Sequence, residues 1–560
     1  MTHAPWWRHA VCYQIYVRSF ADSDGDGLGD LAGITERLPY LADLGIDAVW
    51  LTPFYTSPQA DHGYDVADYC DVDPLFGSLE DADALLARAH ELDLRVIVDI
   101  VPNHSSDQHR WFRAALASGP GSPERARYVF RDGSGPDGNE PPNNWISQFG
   151  GPAWTQVPDG QWYLHLFEKG QPDLDWTNPE IADEFEAILR FWLDRGADGF
   201  RVDVAHGMVK AHGLPDLTPY QLAAQKGEVE ESRSERIRPY DDQPEVHEIY
   251  RRWNRVLAGY PGDRMVIGEA WVTSAEAMAL YLRPDEMQQT FNFHWLEADW
   301  SAESMRGVVA ETLAATESVG ASATWVLSNH DVVRTPTRLG AGGGDARAGN
   351  DDPAAVDGFL GLARARAALL AMLALPGSAY IYQGEELGLP QVTVPPEARQ
   401  DPIWLRGGWI GRDGCRVPLP WTVARDSDDG SAYGFSPAGA ADPWLPQPEG
   451  WGELSVEAQT GTAGSTLELY RAALAVRREQ ADLGAGDTVS VPTGLPKGAF
   501  VVRRPGLDGP GVACVVACGD EPVELGAVGL ADTELLLASD ADAVVDAAVQ
   551  PDHAAWFRTG

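Results

Sequence analysis

Cysteine is scarce in this chain of 560 residues: there are five, Cys12, Cys70, Cys415, Cys514 and Cys518, an odd number at unrelated spacings. Such a set builds no disulfide framework and points to a reducing compartment, so a cytoplasmic protein is expected. Basic residues are also few. Lys and Arg number 42 against 84 Asp and Glu, a formal net charge of -42, and a field of that sign repels phosphate backbones and anionic lipid. Nucleic acid and membrane partners are therefore excluded as expectations. Long apolar runs are missing too. The opening MTHAPWWRHAVCYQIYVRSF has no continuous hydrophobic segment with a cleavage site, and no stretch approaches the ~18 apolar residues of a spanning helix. There is no phosphate-binding glycine loop and no metal spacing among the cysteines and histidines, so no organic cofactor is expected. What the chain does have is ordinary folded-protein composition, 44% hydrophobic and 22% charged, together with 20 Trp, a generous supply of flat apolar surface for neutral, polyhydroxylated ligands.

The length exceeds one compact core unless that core is a large closed barrel. Short β-branched or aromatic runs alternate with amphipathic helical stretches. Val11 to Phe20, GIDAVWL from Gly45, LRVIVDIVP ending at Pro102, GADGFRVDVA (196–205), RMVIGEAW (264–271), QQTFNFHW (288–295), ATWVLSNHD (323–331) and GSAYIYQGEELG (377–388) read as eight strands. Nearly continuous apolar strands separated by helices predict a (β/α)8 barrel, with a doubly wound sheet as the alternative. The text from Asn103 to Asn178 is rich in Gly, Pro and Trp, with no long helix, and reads as a functional insertion after the third strand. After residue 485 short alternating runs (AFVVRR, VACVVACG, TELLLAS) predict a small antiparallel β domain. The expected division is a barrel over 1–102 and 179–484, an insertion over 103–178, and a C-terminal domain over 485–560.

Charged groups crowd the ends of the predicted strands: Asp99, Asn103 and His104 on the third, Arg201 and Asp203 on the fourth, Glu269 on the fifth, Asn329, His330 and Asp331 on the seventh. Desolvating an unpaired carboxylate costs several kcal/mol, and this is the face on which barrels carry chemistry. Carboxylates without a Cys/His metal cluster suit proton transfer plus a carboxylate nucleophile, the machinery of glycoside hydrolysis. Arg201, two residues before Asp203, points to the same side of its strand and is expected to keep Asp203 ionised.

DIVPNH (99–104), GFRVDVAH (199–206), IGEAW (267–271) and SNHD (328–331), in this order, closely resemble the four signature regions of the α-amylase superfamily, glycoside hydrolase family 13. QPDLDW (171–176) resembles the fifth region of the oligo-1,6-glucosidase and α-glucosidase branch, with Asp175 where that branch more often has Asn. The resemblance implies Asp203 as nucleophile, Glu269 as general acid/base and Asp331 as the third carboxylate, with His104 and His330 on hydroxyls of the same glucose, Arg201 orienting Asp203 and Tyr64 as a stacking platform. It further implies that Asp61 and Arg412, in DHGYD and GRDGCRVPLPW, pin the 4-hydroxyl of a non-reducing terminal glucose. Phe167 is a candidate apolar wall, and Val204, following the nucleophile, would bias linkage toward α-1,6. The reading that follows is an exo-acting retaining α-glucosidase for short α-1,4- or α-1,6-glucosides. Its rivals are a glucosyltransferase or isomerase acting on maltose or sucrose, and a non-catalytic transporter-associated or sugar-binding barrel protein.

DSDGDGLGD (22–30) reads independently as a cation loop. Asp22, Asp24, Asp26, the Leu28 carbonyl and Asp30 stand at EF-hand positions 1, 3, 5, 7 and 9, but position 12 is Gly33 and no helix pair flanks it. Resemblance to the family's equivalent loop implies a structural Ca2+, with Mg2+ as the alternative.

Overall fold

The computed structural model describes residues 4–229, 237–407, 409–424, 432–484, 486–506 and 509–560. Eight parallel strands form its central sheet: β1 (Val11–Ile15), β2 (Ala48–Leu51), β3 (Arg95–Ile100), β4 (Gly199–Val202), β5 (Met265–Gly268), β6 (Gln289–Thr290), β7 (Thr324–Val326) and β8 (Ser378–Tyr382). They pair in the order β6-β5-β4-β3-β2-β1-β8-β7, so each lies beside its sequence neighbour and β1 meets β8, a barrel closed save for the β6/β7 seam. The register sets Asp99 of β3 beside Arg201 of β4, and Arg201 beside Ile267 of β5. The chemistry-bearing ends of three strands thus stand level.

Helices cover the barrel, and their ends follow local sequence. Leu31–Leu44 is capped by Asp30, whose carboxylate accepts the Gly33 N–H, and it stops at Gly45 with φ 97°. Ser78 and Asp81 form a reciprocal capping box on Leu79–Glu91. Pro179–Arg195 starts on the Asn178 cap and ends at Gly196 with φ 111°. Gly358–Ala374 is buried along most of its length because the C-terminal sheet packs on it, with Trp556 Nε1 donating to the Leu370 carbonyl at 3.0 Å.

The insertion departs from the sequence reading in one element. A nine-residue helix, Arg110–Ser118, follows β3, capped by His109 and burying Trp111, Phe112 and Ala115. Apolar spacing along HRWFRAALASG carries that signal, but the surrounding Gly and Pro obscure it. Beyond the helix, Phe130–Asp132, Gln161–Leu164 and Trp154–Gln156 form an antiparallel sheet with Gln161–Leu164 in the middle. After β2, a hairpin of Tyr55–Thr56 and Asp68–Val72 projects the loop that bears Asp61 and Tyr64. The C-terminal region forms a four-stranded antiparallel sheet (Ala499–Arg504, Gly511–Ala517, Ala554–Thr559, Glu534–Ala538) and a small three-stranded one. None of the five cysteines is disulfide-bonded, and among the described residues no helix is long and apolar enough to cross a membrane.

Candidate active site

One guanidinium gathers the carboxylates at the barrel's C-terminal end. Arg201 Nη1 lies 2.7 Å from Asp203 Oδ1 and 3.1 Å from Asp99, and Nη2 lies 2.6 Å from Glu269 Oε2. Arg201 is 1% exposed and Asp99 0%, and the ring of Trp50 stacks against the guanidinium, its centroid 4.9 Å away, while donating Nε1–H to Asp99. One positive charge thus serves three acids. Burial pushes the Asp203 carboxyl well above the usual range against the pull of Arg201, with Glu269 and Asp99 adding to the upward push, and Asp99 is pushed up to about 7. Arg201 pulls the Asp203 carboxyl toward ionisation, as expected, but its one charge is divided among three acids.

Around this centre the other predicted side chains converge. Tyr64 donates its hydroxyl to Asp99 Oδ2 at 3.2 Å and stacks on the His330 ring at 5.3 Å. His330 lies 2.6 Å from the Gln14 amide and 3.3 Å from Asp331. His104 Nδ1 faces Asn103 Nδ2 at 3.1 Å, which leaves Nε2–H to donate to the Tyr64 carbonyl at 3.1 Å. Burial pushes His104 down to about 4 and His330 well below the ordinary histidine value, so both rings are neutral near pH 7.

Across the site, Arg412 bridges two loops. Nη2 lies 2.9 Å from Asp61 Oδ1 and Nη1 lies 3.0 Å from Asp331 Oδ1. Two residues absent from the sequence reading complete this cluster: Arg416, 2.8 Å from Asp331, and the fully buried Asp401, 2.8 Å from Arg412 Nε. Against the upward push of burial, the charges of Arg412 and Arg416 hold the Asp331 carboxyl below the usual range. Gln171, also missed, donates to Asp61 Oδ2 at 3.2 Å from the QPDLDW segment.

A cavity of about 570 Å³ adjoins these groups, lined by Glu269, Asp331 and Arg412 together with Phe149, Phe167, Val204 and Trp271. Trp271, a further residue that strand-end reasoning passed over, donates Nε1–H to Glu269 Oε1 at 2.9 Å and stacks on Phe293 at 3.8 Å. Val204 has φ +47°, uncommon for a β-branched residue, and its N–H reaches Glu269 Oε2 at 3.2 Å.

In the acidic loop Asp22, Asp24 and Asp30 bring carboxylate oxygens within 4.8 Å of one another, an oxygen set that suits a hard divalent cation. Asp26 is not part of that group; its Oδ1 accepts the Leu28 N–H at 2.8 Å. Asp30 also caps the following helix and accepts the Ser23 N–H at 2.7 Å.

The family model for the alpha-amylase catalytic domain matches residues 14–486. A probable alpha-glucosidase of Rhizobium meliloti (strain 1021) is 40% identical over 504 residues, covering 87% of this chain and 85% of the relative. An oligo-1,6-glucosidase of Parageobacillus thermoglucosidasius is 35% identical over 509 residues, 85% of this chain and 84% of the relative. The crystal structure of an alpha-glucosyl transfer enzyme, XgtA, aligns over 100% of both chains with a TM-score of 0.85 and 34% identity. With the barrel, the strand-end carboxylates and a match over most of its length, the chain belongs to the alpha-amylase family of glycoside hydrolases, family 13.

Proposed function

We propose that the protein is an exo-acting, retaining α-glucosidase that takes glucose from the non-reducing end of short α-1,4- and α-1,6-glucosides. The observation that carries this reading is Arg412, which ties Asp61 to Asp331 across the site; a bridge of that kind would wall off the pocket beyond one terminal sugar. Two carboxylates drawn to the two Nη atoms of one guanidinium fit the ~5 Å separation of retaining enzymes better than the ~6.5–9.5 Å of inverting ones. The first step requires a protonated Glu269 and an ionised Asp203 held against Arg201 Nη1. An Asp203 oxygen attacks the anomeric carbon while Glu269 gives its proton to the departing glycosidic oxygen. Glu269, now a carboxylate, takes a proton from water, which displaces Asp203 and restores the α-configuration. Asp331, His104 and His330 hold the ring hydroxyls, and Tyr64 backs His330. Product analysis from maltose, isomaltose, trehalose, sucrose and soluble starch tests this: α-glucose from the disaccharides and poor use of starch are expected, and a ladder of oligosaccharides from starch overturns the exo assignment.

Transfer of glucose to a sugar acceptor is the second reading, favoured by the full-length likeness to an alpha-glucosyl transfer enzyme. It shares every step up to the covalent intermediate. At high disaccharide concentration it yields new glucosides in place of free glucose.

We also propose a structural Ca2+, or Mg2+, held by Asp22, Asp24 and Asp30 with Asp26 and the Leu28 carbonyl, pinning the loop to helix Leu31–Leu44. The cation would supply charge neutralisation there and no chemistry. Chelation should lower the melting temperature while low-temperature turnover persists, since a ligand of the native state stabilises it by mass action; protein that melts unchanged and holds no metal by elemental analysis has no such site. Five unbridged thiols, three of them buried, support a reducing, cytoplasmic setting.

A further inference from the structure

Arg412 is held by three carboxylates, and they differ in what they face. Asp61 and Asp331 take its two Nη atoms at 2.9 and 3.0 Å, and both belong to the glucose site. The third, Asp401, takes the opposite edge: Nε donates to Oδ2 at 2.8 Å, Nη2 approaches Oδ1 at 3.2 Å, and the Arg412 backbone N–H reaches Oδ2 at 2.5 Å. Asp401 is 0% exposed and is not among the side chains lining the cavity, whereas Arg412 is. Its surroundings are built around it. Gln400 and Asp401 donate their backbone N–H groups to Asp413, and a Cβ on Gly411 would lie 2.6 Å from the Asp401 side chain.

We propose that Asp401 is a positioning residue for exo recognition: it grips the root edge of Arg412 and so presents both Nη atoms to the terminal glucose. The inference rests on the exo reading of the pocket given above. A guanidinium held only by Asp61 and Asp331 would have to keep its place while those two carboxylates turn to sugar hydroxyls. A carboxylate on the Nε edge removes that conflict, because its bonds persist whatever the substrate takes. Asp401 also reaches the outer wall. Its Oδ1 accepts the Ile403 N–H at 2.9 Å at the start of helix Pro402–Gly407, and Arg406 of that helix pairs with Glu168 at 2.9 Å beside Phe167. The residue that holds the glucose clamp thus also anchors the segment that meets the insertion.

The test is a double-mutant cycle read on 4-nitrophenyl α-glucoside and its 4-deoxy analogue. Asp401→Asn, which keeps shape and removes the charge, should raise KM for the glucoside about 10- to 100-fold, with kcat falling far less. The preference for the glucoside over the 4-deoxy analogue should shrink at least about fivefold, a change that general loosening of the fold would not single out. Arg412→Ala should do the same, and adding Asp401→Asn to it should change KM by less than about twofold. An unchanged KM in Asp401→Asn, or an equal cost in both backgrounds, overturns the inference. Should Asp401→Asn fail to fold, Arg412→Lys decides: lysine offers a charge to Asp61 and Asp331 but no Nε edge, so it should match Arg412→Ala, and wild-type KM in the lysine variant overturns the proposal. Internal cleavage of starch by the unaltered protein would instead sink the exo reading, and the two failures are distinct.

Discussion

The barrel buries an arginine–carboxylate cluster at each end, and the two have opposite stoichiometry. At the N-terminal end of the strands Asp198, fully buried, accepts the Val96 N–H at 3.0 Å and meets His90 Nε2 at 2.8 Å, Arg95 at 3.4 Å and the guanidinium of Arg264. Burial works upward on this acid, but the bonds from His90 and Val96 with the Arg264 charge outweigh it, and the carboxyl is held below its ordinary value. At the C-terminal end Arg201 is, among the described residues, the one cation in contact with Asp99, Asp203 and Glu269, and burial wins on Asp203 and Asp99. An acid with a surplus of cations is a fastening; acids that divide one cation are held toward the protonated form. The same two residue types therefore give stability at one end and reactivity at the other, according to which is outnumbered.

Removing the nucleophile should produce the largest difference between the ends. Asp203→Asn is expected to lose at least about a thousandfold in turnover with an unchanged far-UV spectrum, as for removal of an essential catalytic group. Its melting temperature should not fall, because the substitution takes a charge from a cluster that has one cation for three acids. Wild-type-like turnover would end the assignment of Asp203; a large drop in melting temperature would end the contrast drawn here.

Asp198→Asn should behave in the reverse sense. Breaking a buried ion pair costs about 3 kcal/mol, read as a lower urea midpoint and melting temperature, while turnover per folded molecule stays within about threefold. The two clusters also respond oppositely to pH. Asp198, held low, contributes its stability fully above the unfolded carboxylate value of ~3.9 and loses it as pH falls through its native value. Asp99, pushed up to about 7, binds a proton in the native state that the unfolded chain has released, so its contribution is lost as pH rises from ~4 through about 7. Relieving that crowding, Asp203→Asn should gain in melting temperature on the wild type between pH 5 and pH 8. A constant difference across that range would show that Asp203 takes no part in that proton uptake.

How much of this was legible in the sequence depends on how local the cause is. The eight strands and their charged ends could be read because β3, β4 and β5 carry their chemistry at the ends of apolar runs, a pattern confined to a few residues. Asp401 and Arg412 stand 11 positions apart in a loop without periodicity, and only the path of that loop around Gly411 brings them together. Asp198 lies inside GADGFRVDVA, read only as a strand; its partners come from the stretch 90–96 and from Arg264, and register unites them. Trp271 shares a segment with Glu269, yet that its indole faces the carboxylate depends on the Phe293 stack from the stretch after β6. The cation loop is the most local case: alternate spacing picks out four aspartates within nine residues, and the fold brings carboxylate oxygens of three of them within 4.8 Å of one another.

The smallest expected effect belongs to Val204, which joins the charged floor to the apolar wall. Its N–H holds Glu269 Oε2, its φ of +47° carries strain of about 1–3 kcal/mol, and it lines the cavity together with Glu269. Gly207 leaves room for that side chain, since a Cβ there would lie 2.7 Å from Val204 Cγ1. Val204→Thr keeps the volume and the stiff χ1 and exchanges one methyl for a hydroxyl, so the backbone and the Glu269 contact should persist. What changes is the surface offered to the departing sugar. One such contact is worth about 1 kcal/mol, so kcat/KM for isomaltose relative to maltose should fall by about 3- to 10-fold, with both linkages still cleaved. A ratio that stays constant while both disaccharides are hydrolysed at wild-type rates would show that linkage choice is set farther out, by Phe149 and Phe167, and not beside the nucleophile.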